Sequence, residues 1–211
     1  MATAGTLERL LDHASRSGIS IDEAVRVRLV SFYDLLQRWN RTINLTSLRN
    51  PDEAFDRLLL EPLVAAKYLA ERPYLMDIGS GGGSPAIPLA LALRPLSLVM
   101  VESNLRKAAF LREAIRHLEI PAATVVTSRF EDLPAEDRNP PLTTLITVRA
   151  VKLVREQFAA LERLLGPNGR IALFSNLDQP QRLSEAAGLR VSATYDLVPS
   201  ARSTLVILER D

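Results

Sequence analysis

Asp77-Ile78-Gly79-Ser80-Gly81-Gly82-Gly83-Ser84-Pro85 restricts the fold more than any other stretch of the chain. Tyr74, Leu75, Met76 and Ile78 run into it as a short buried strand, and Ile87, Leu89, Ala90, Leu91 and Leu93 leave it at helical spacing. A strand, a tight turn and a helix form the unit from which helix-covered parallel sheets are assembled. Glycine at four of the five positions from 79 to 83 lets the backbone bend sharply and lets a ligand approach without meeting a Cβ. Ser84 is placed to cap the helix and Pro85 to open its first turn. The helix's unpaired N–H groups and positive end would then face whatever lies over the turn.

The spacing of the glycines narrows what that ligand is. Gly79 and Gly81 fit the first two positions of the dinucleotide fingerprint G-x-G-x-x-G, but Ser84 stands at the third. Asp77, Gly79, Gly81 and Gly83 fit acidic-x-G-x-G-x-G better, the loop of S-adenosylmethionine-dependent methyltransferases. The competing reading is a surface turn without a ligand; so many glycines directly after a strand argue against it. Ser97-Leu98-Val99-Met100-Val101 forms the next strand and ends in Glu102, an acid about twenty residues on that can accept hydrogen bonds from a ribose. NAD and S-adenosylmethionine both carry that ribose, so Glu102 supports a nucleoside cofactor without choosing between them.

Seven strands are expected, at Tyr74–Gly79, Leu96–Glu102, Thr124–Thr127, Thr143–Val148, Arg170–Phe174, Val191–Leu197 and Thr204–Glu209. Helices between them begin near Pro85, Asn104, Leu153 and Pro180. This alternation predicts a mostly parallel, Rossmann-like α/β sheet, with the last two strands antiparallel because their link is short. Before it, Leu7, Leu10, Leu11 and Ala14 form one apolar stripe, and Val25, Leu29, Phe32, Leu35, Leu36 and Trp39 another. Ser20-Ile21-Asp22-Glu23 reads as a capping box for the second. Asn50 caps a helix with Pro51 at its first position; Pro62 interrupts the pattern, and a further helix runs to about Glu71. Residues 1–72 are therefore expected as a helical cap packed on a sheet domain at 73–211, the chain being one compact unit. Ala135 to Pro141 reads as a surface loop.

Composition removes several chemistries. The chain of 211 residues has no cysteine, so disulfides, thiolate metal sites and thiol nucleophiles are excluded. His13 and His117 are far apart in helical patterns, and no metal-ligand cluster is expected. No run is long enough to span a bilayer and no leader is evident, which makes a cytoplasmic location the expectation. Net charge is +1, so nothing in bulk charge announces a nucleic acid.

Five segments, the glycine turn among them, resemble one family. Trp39-Asn40-Arg41-Thr42-Ile43-Asn44-Leu45-Thr46 is similar to its W-N-x-x-x-N-L-T, and Asp77 to Pro88 to its D-x-G-x-G-x-G-x-P-G-I-P. Arg106-Lys107 with Phe110-Leu111-Arg112, Ser128-Arg129-Phe130-Glu131 and Arg149-Ala150 resemble its K-R-x-x-F-L-R, S/A-R-x-E and S-R-A segments. The family is RsmG (GidB), methyltransferases of guanine N7 in 16S ribosomal RNA. The resemblance implies a seven-stranded methyltransferase sheet with S-adenosyl-L-methionine as cofactor. Ribosomal RNA or the small ribosomal subunit would be the partner, and the enzyme a monomer without metal or membrane. It places Gly79 and Ser84 at the methionine end, Glu102 on the ribose, Phe130 and Glu131 beside the adenine, and Arg149 at the mouth as a positioner. The whole candidate cofactor shell is Asp77, Gly79, Ser80, Gly81, Gly83, Ser84, Glu102, Ser103, Arg129, Phe130, Glu131 and Arg149. The chain departs from the pattern at Leu58, Glu61-Pro62, Gly82, Ser84, Ala86, Val148 and Ser175-Asn176. The substrate-side changes keep open a paralogue acting on another RNA position or a small molecule, or a non-catalytic nucleoside-binding protein.

Guanine N7 carries a lone pair and no proton, so this chemistry requires positioning without an acid or base. Cytosine C5 methylation uses a cysteine, which is absent. Asn139-Pro140-Pro141-Leu142 superficially resembles an amine-methylating motif. It precedes the fourth strand and lacks the aromatic residue, so it reads as a loop.

Overall fold

The computed structural model describes residues 4–69, 73–133, 143–151, 153–175, 188–198 and 203–211. The loop at Ala135–Pro141, Asn139–Leu142, Asn176 and the helix expected near Pro180 lie outside the described residues.

Seven strands form one sheet in the order β3-β2-β1-β4-β5-β7-β6. They are β1 (Tyr74–Ile78), β2 (Ser97–Val101), β3 (Ala123–Val126), β4 (Thr143–Arg149), β5 (Leu165–Ser175), β6 (Leu189–Asp196) and β7 (Thr204–Arg210). The first five are parallel; β7 runs antiparallel to both β5 and β6. After β1 the chain builds outward through β2 and β3, then returns to lay β4 on the other side of β1. That reversal opens a crevice between the loops that follow β1 and β4, the place where open α/β sheets bind ligands.

Helices α5 (Ala86–Leu93), α6 (Leu105–His117) and α7 (Arg155–Leu164) make the crossovers from β1 to β2, from β2 to β3 and from β4 to β5. Helix α5 stops where Arg94 turns left-handed at φ 48° just before Pro95, which could not continue it. Asn104 caps α6, accepting from Arg106 N–H and Lys107 N–H at 3.0 and 3.2 Å. One apolar cluster joins the N-terminal helices to one sheet face, from Leu10 through Phe32, Phe55 and Leu89 to Ile207. A second, with Phe130, Phe158 and Leu161, packs the other face.

Several local expectations are corrected. Helix α2 (Glu23–Asn40) is capped by Asp22, whose carboxylate accepts from Ala24 N–H at 2.9 Å, and not by Ser20: an acid next to the positive helix end serves better. Strand β5 begins at Leu165, ahead of the expected Arg170, because Leu165 pairs with Thr143 before the ladder bulges. Pro62 does not separate two helices. The segment runs on from α3 (Pro51–Phe55) through a π-helical turn (Asp56–Leu60) into α4 (Glu61–Ala66). The wide turn takes up the distortion around a residue without an N–H. Asn50 does cap α3, accepting from Asp52 N–H at 2.9 Å.

His13 is 3% exposed, with Nδ1 2.7 Å from Asp56 and Nε2 3.2 Å from Asp52, so it pins α1 (Ala4–Arg16) to the π turn. His117 pairs with Ser31 at 2.9 Å. Trp39 packs edge-on against Phe110, 5.8 Å between ring centres, tying α2 to α6. Asn40 side-chain oxygen accepts from Leu45 N–H and Thr46 N–H at 2.8 and 3.0 Å. That folds the Asn44-Leu45-Thr46 loop back against the glycine turn, where Leu45 O faces Gly82. None of the described helices is long and apolar enough to cross a membrane.

Asn40→Ala leaves two part-buried amides without their acceptor and is expected to lower stability by about 1–3 kcal/mol, read as a lower denaturation midpoint in urea.

Candidate active site

The crevice at the strand reversal opens into a cavity of about 630 Å³. Its floor is the glycine turn, with Gly79, Ser80, Gly81, Gly82 and Ser84; Glu102 and Lys107 stand on the β2 side. Arg149 ends β4 and Ala150 and Val151 follow it, Phe174 and Ser175 come from β5, and Leu45 to Leu48, Arg57, Leu58 and Glu61 from the N-terminal segment. The N-terminal segment is thus also a wall of the cavity.

The turn is built from strand-end hydrogen bonds. Gly79 N–H and Ser80 N–H both donate to Val101 O, at 2.9 and 3.1 Å. Gly79 has φ 68°, and a Cβ there would meet Val151 Cγ2 at 2.7 Å, so only glycine fits between the β1 and β4 loops. Glu102 is buried, and its two carboxylate oxygens accept from Gly81 N–H and Asn104 N–H, each at 2.8 Å. A carboxylate holds about four lone-pair positions, so two amides leave room for two further donors.

Asp77 lies beneath the turn, 1% exposed. Its Oδ1 accepts from Thr147 Oγ at 2.6 Å, while Oδ2 has no partner. Burial raises its pKa to about 6, against the lowering effect of Thr147, Ser80 and Arg149. Arg149 holds the opposite side. Its Nη2 donates to Ser84 O at 2.8 Å, its Nη1 to Arg57 O, and Glu61 Oε2 lies 3.7 Å away. Burial lowers its pKa to about 10, with Glu61 and Asp77 opposing; it therefore stays cationic at neutral pH. Glu61, 2% exposed, also accepts from Ser203 Oγ at 2.5 Å. Desolvation raises its pKa, and Ser203 and Arg149 counter this.

The structure brings Gly79, Ser80, Gly81, Ser84, Glu102 and Arg149 to the cavity and leaves the other expected residues elsewhere. Ser84 does not cap α5. Its hydroxyl donates to Leu58 O at 2.7 Å, and Pro85 occupies the cap position without a side-chain bond. Gly83 is buried behind the turn, where a Cβ would meet Ile87 at 2.7 Å and Phe32 at 3.2 Å; it serves helix packing. Ser103 and Arg129 are exposed outside the lining. Phe130 is buried in the second core cluster, and Glu131 accepts from Gln157 Nε2 at 2.6 Å. Both border a separate hollow of about 100 Å³ against α7. Sequence reasoning missed Glu61, Thr147 and Ser203 as partners of the site. Single polar residues at a proline break, mid-strand and at a strand start carry no periodic signal.

The fold and its crevice define the class: this is the sheet of S-adenosylmethionine-dependent methyltransferases. The structure superposes on such an enzyme from Aquifex aeolicus with a TM-score of 0.60 at 14% identity, covering 82% of this chain and 96% of that one. The sequence profile of GidB, rRNA small subunit methyltransferase G, matches residues 26–189, and the chain belongs to that family. The protein named ribosomal RNA small subunit methyltransferase G of Xanthomonas euvesicatoria is 41% identical over 152 residues, 72% of this chain and 69% of that protein. Its namesake in Azoarcus is 33% identical over 206 residues, 96% and 95% of the two chains.

Asp77 is charged at neutral pH against the pull of burial. A carboxyl whose folded pKa (about 6) exceeds its unfolded one stabilises the fold below the unfolded value, and this contribution is lost as pH rises through the folded value. Asp77→Asn is therefore expected to raise the thermal midpoint at pH 7. The gap to the native protein should narrow as pH falls from about 6 to about 4, as calorimetry across that range would read.

Proposed function

We propose that this protein transfers a methyl group from S-adenosylmethionine to N7 of a guanine in 16S ribosomal RNA. The observation that carries the reading is one juxtaposition. A glycine turn with no room for a Cβ at Gly79 and a buried Glu102 with spare acceptor positions meet at one cavity edge, and an orphaned carboxylate oxygen of Asp77 lies buried beneath that turn. These residues fit the cofactor group by group. Glu102 would accept from the ribose hydroxyls, the backbone from Gly79 to Gly81 would lie along the chain between sugar and methionine, and Asp77 would set a negative charge beneath the ammonium. Membership of the rRNA small subunit methyltransferase G family supports ribosomal RNA as the substrate class.

When bound, S-adenosylmethionine supplies an electrophilic methyl group on a sulfonium. The residues of this chain hold the acceptor in line with it. Guanine N7 has no proton to remove, so no side chain needs to take one, and the hydrogen-bonded network of Arg149, Glu61 and Ser203 gives a fixed polar wall instead of an acid–base pair. Positive charge passes to the purine in the reaction, and Glu61 and Asp77 set negative charge against Arg149.

Radiolabelled methyl donor is expected to label 16S rRNA or the 30S particle, with chain cleavage at 7-methylguanine; no label in either substrate refutes the reading. Glu102→Gln removes one acceptor and the charge, and should weaken donor binding by about tenfold or more by calorimetry. Donor affinity of the native protein should also fall as pH drops from 7 to 5, because protonation of Asp77, at a pKa of about 6, removes the charge beneath the ammonium.

A further inference from the structure

The segment ahead of β1 breaks helical hydrogen bonding at one point, and the break faces the cavity. Glu61 N–H donates to Asp56 O, one residue further back than in an α-helix. Pro62 follows and has no N–H to give. A donor at that position would meet Leu58 O in α register or Arg57 O in π register. Both carbonyls are held instead by side chains of the site: Ser84 Oγ donates to Leu58 O at 2.7 Å, and Arg149 Nη1 to Arg57 O. Glu61, the residue just before, adds its carboxylate 3.7 Å from the same guanidinium nitrogen.

We infer that Pro62 is a positioning residue for Arg149: by withholding a backbone donor it leaves two helix carbonyls as a socket, one for Arg149 and one for Ser84. Any other residue at 62 brings an N–H that competes for the socket. The competition should pull Arg57 O or Leu58 O back into the helix and loosen the guanidinium. The role in catalysis rests on the methyl-transfer reading above; the socket itself does not.

Two measurements test it. Side-chain nitrogen NMR of Arg149, assigned by its loss in Arg149→Lys, reads the socket whether or not the protein turns over. The native guanidinium should rotate slowly and give separate Nη signals. Pro62→Ala should merge them while the thermal midpoint holds or rises, since alanine favours a helix and supplies its missing donor. A merely structural proline would lower the midpoint and the activity together. In methyl transfer, kcat/KM should fall about tenfold in Pro62→Ala but less than twofold when the same change is made in Arg149→Lys, because coupled residues are not additive. Averaged signals in the native protein, separate signals that persist in Pro62→Ala, or an equal loss of transfer in both backgrounds overturns the inference. Signals that merge on Pro62→Ala in a protein that transfers no methyl group support the socket and refute the proposed function.

Discussion

A guanidinium only 16% exposed holds together three parts of this protein that are distant in sequence. Arg149, at the end of β4, reaches the glycine turn through Ser84 O, and the N-terminal segment through Arg57 O and Glu61. Burial pulls its pKa down to about 10, yet it remains charged at neutral pH. A buried charge has to be answered where it lies, since stranding it is far more costly than never burying it. The helices before β1 are therefore tied to the sheet by more than apolar packing.

The other side of the cavity is organised by the opposite charge. Glu102 gathers the amides of Gly81 and Asn104, fixing the loops after β1 and β2 to each other. Asp77 sits under both with one oxygen unanswered. A folded protein keeps a carboxyl in such a place against its own stability, and perturbed groups of this kind gather where a ligand completes them. The cavity thus has an anionic edge by the turn and a clamped cation across from it, with apolar wall from Leu45, Leu58, Val151 and Phe174 between.

Much of the architecture was legible in the chain. Short apolar runs alternating with helical stretches marked the seven strands, and the short β6–β7 link marked their antiparallel pairing. The glycine turn and Glu102 pointed to the crevice. Strand edges were less legible: β5 starts at Leu165 because Thr143 pairs with it across a bulge, and no local pattern encodes a partner 22 residues away. Phe130 and Glu131 resembled a cofactor segment, yet the packing of α7 draws Phe130 into the core and Gln157 draws the Glu131 carboxylate toward α7. Ser84 looked like a helix cap because serine before a proline-led helix usually is one; the carbonyl of Leu58 drew its hydroxyl away.

The sequence by itself determined what is local: where strands and helices form, where the backbone must be glycine, and that no thiol chemistry is available. Those follow from periodicity and from the sterics of one residue and its neighbours. Only the tertiary structure decided the company each polar group keeps. Glu61, Ser203, Arg149 and the Arg57 carbonyl are scattered over nearly 150 positions and meet because the sheet and the π turn bring them together. Desolvation and hydrogen bonding act through space, and the order of residues along a chain does not record which will be neighbours.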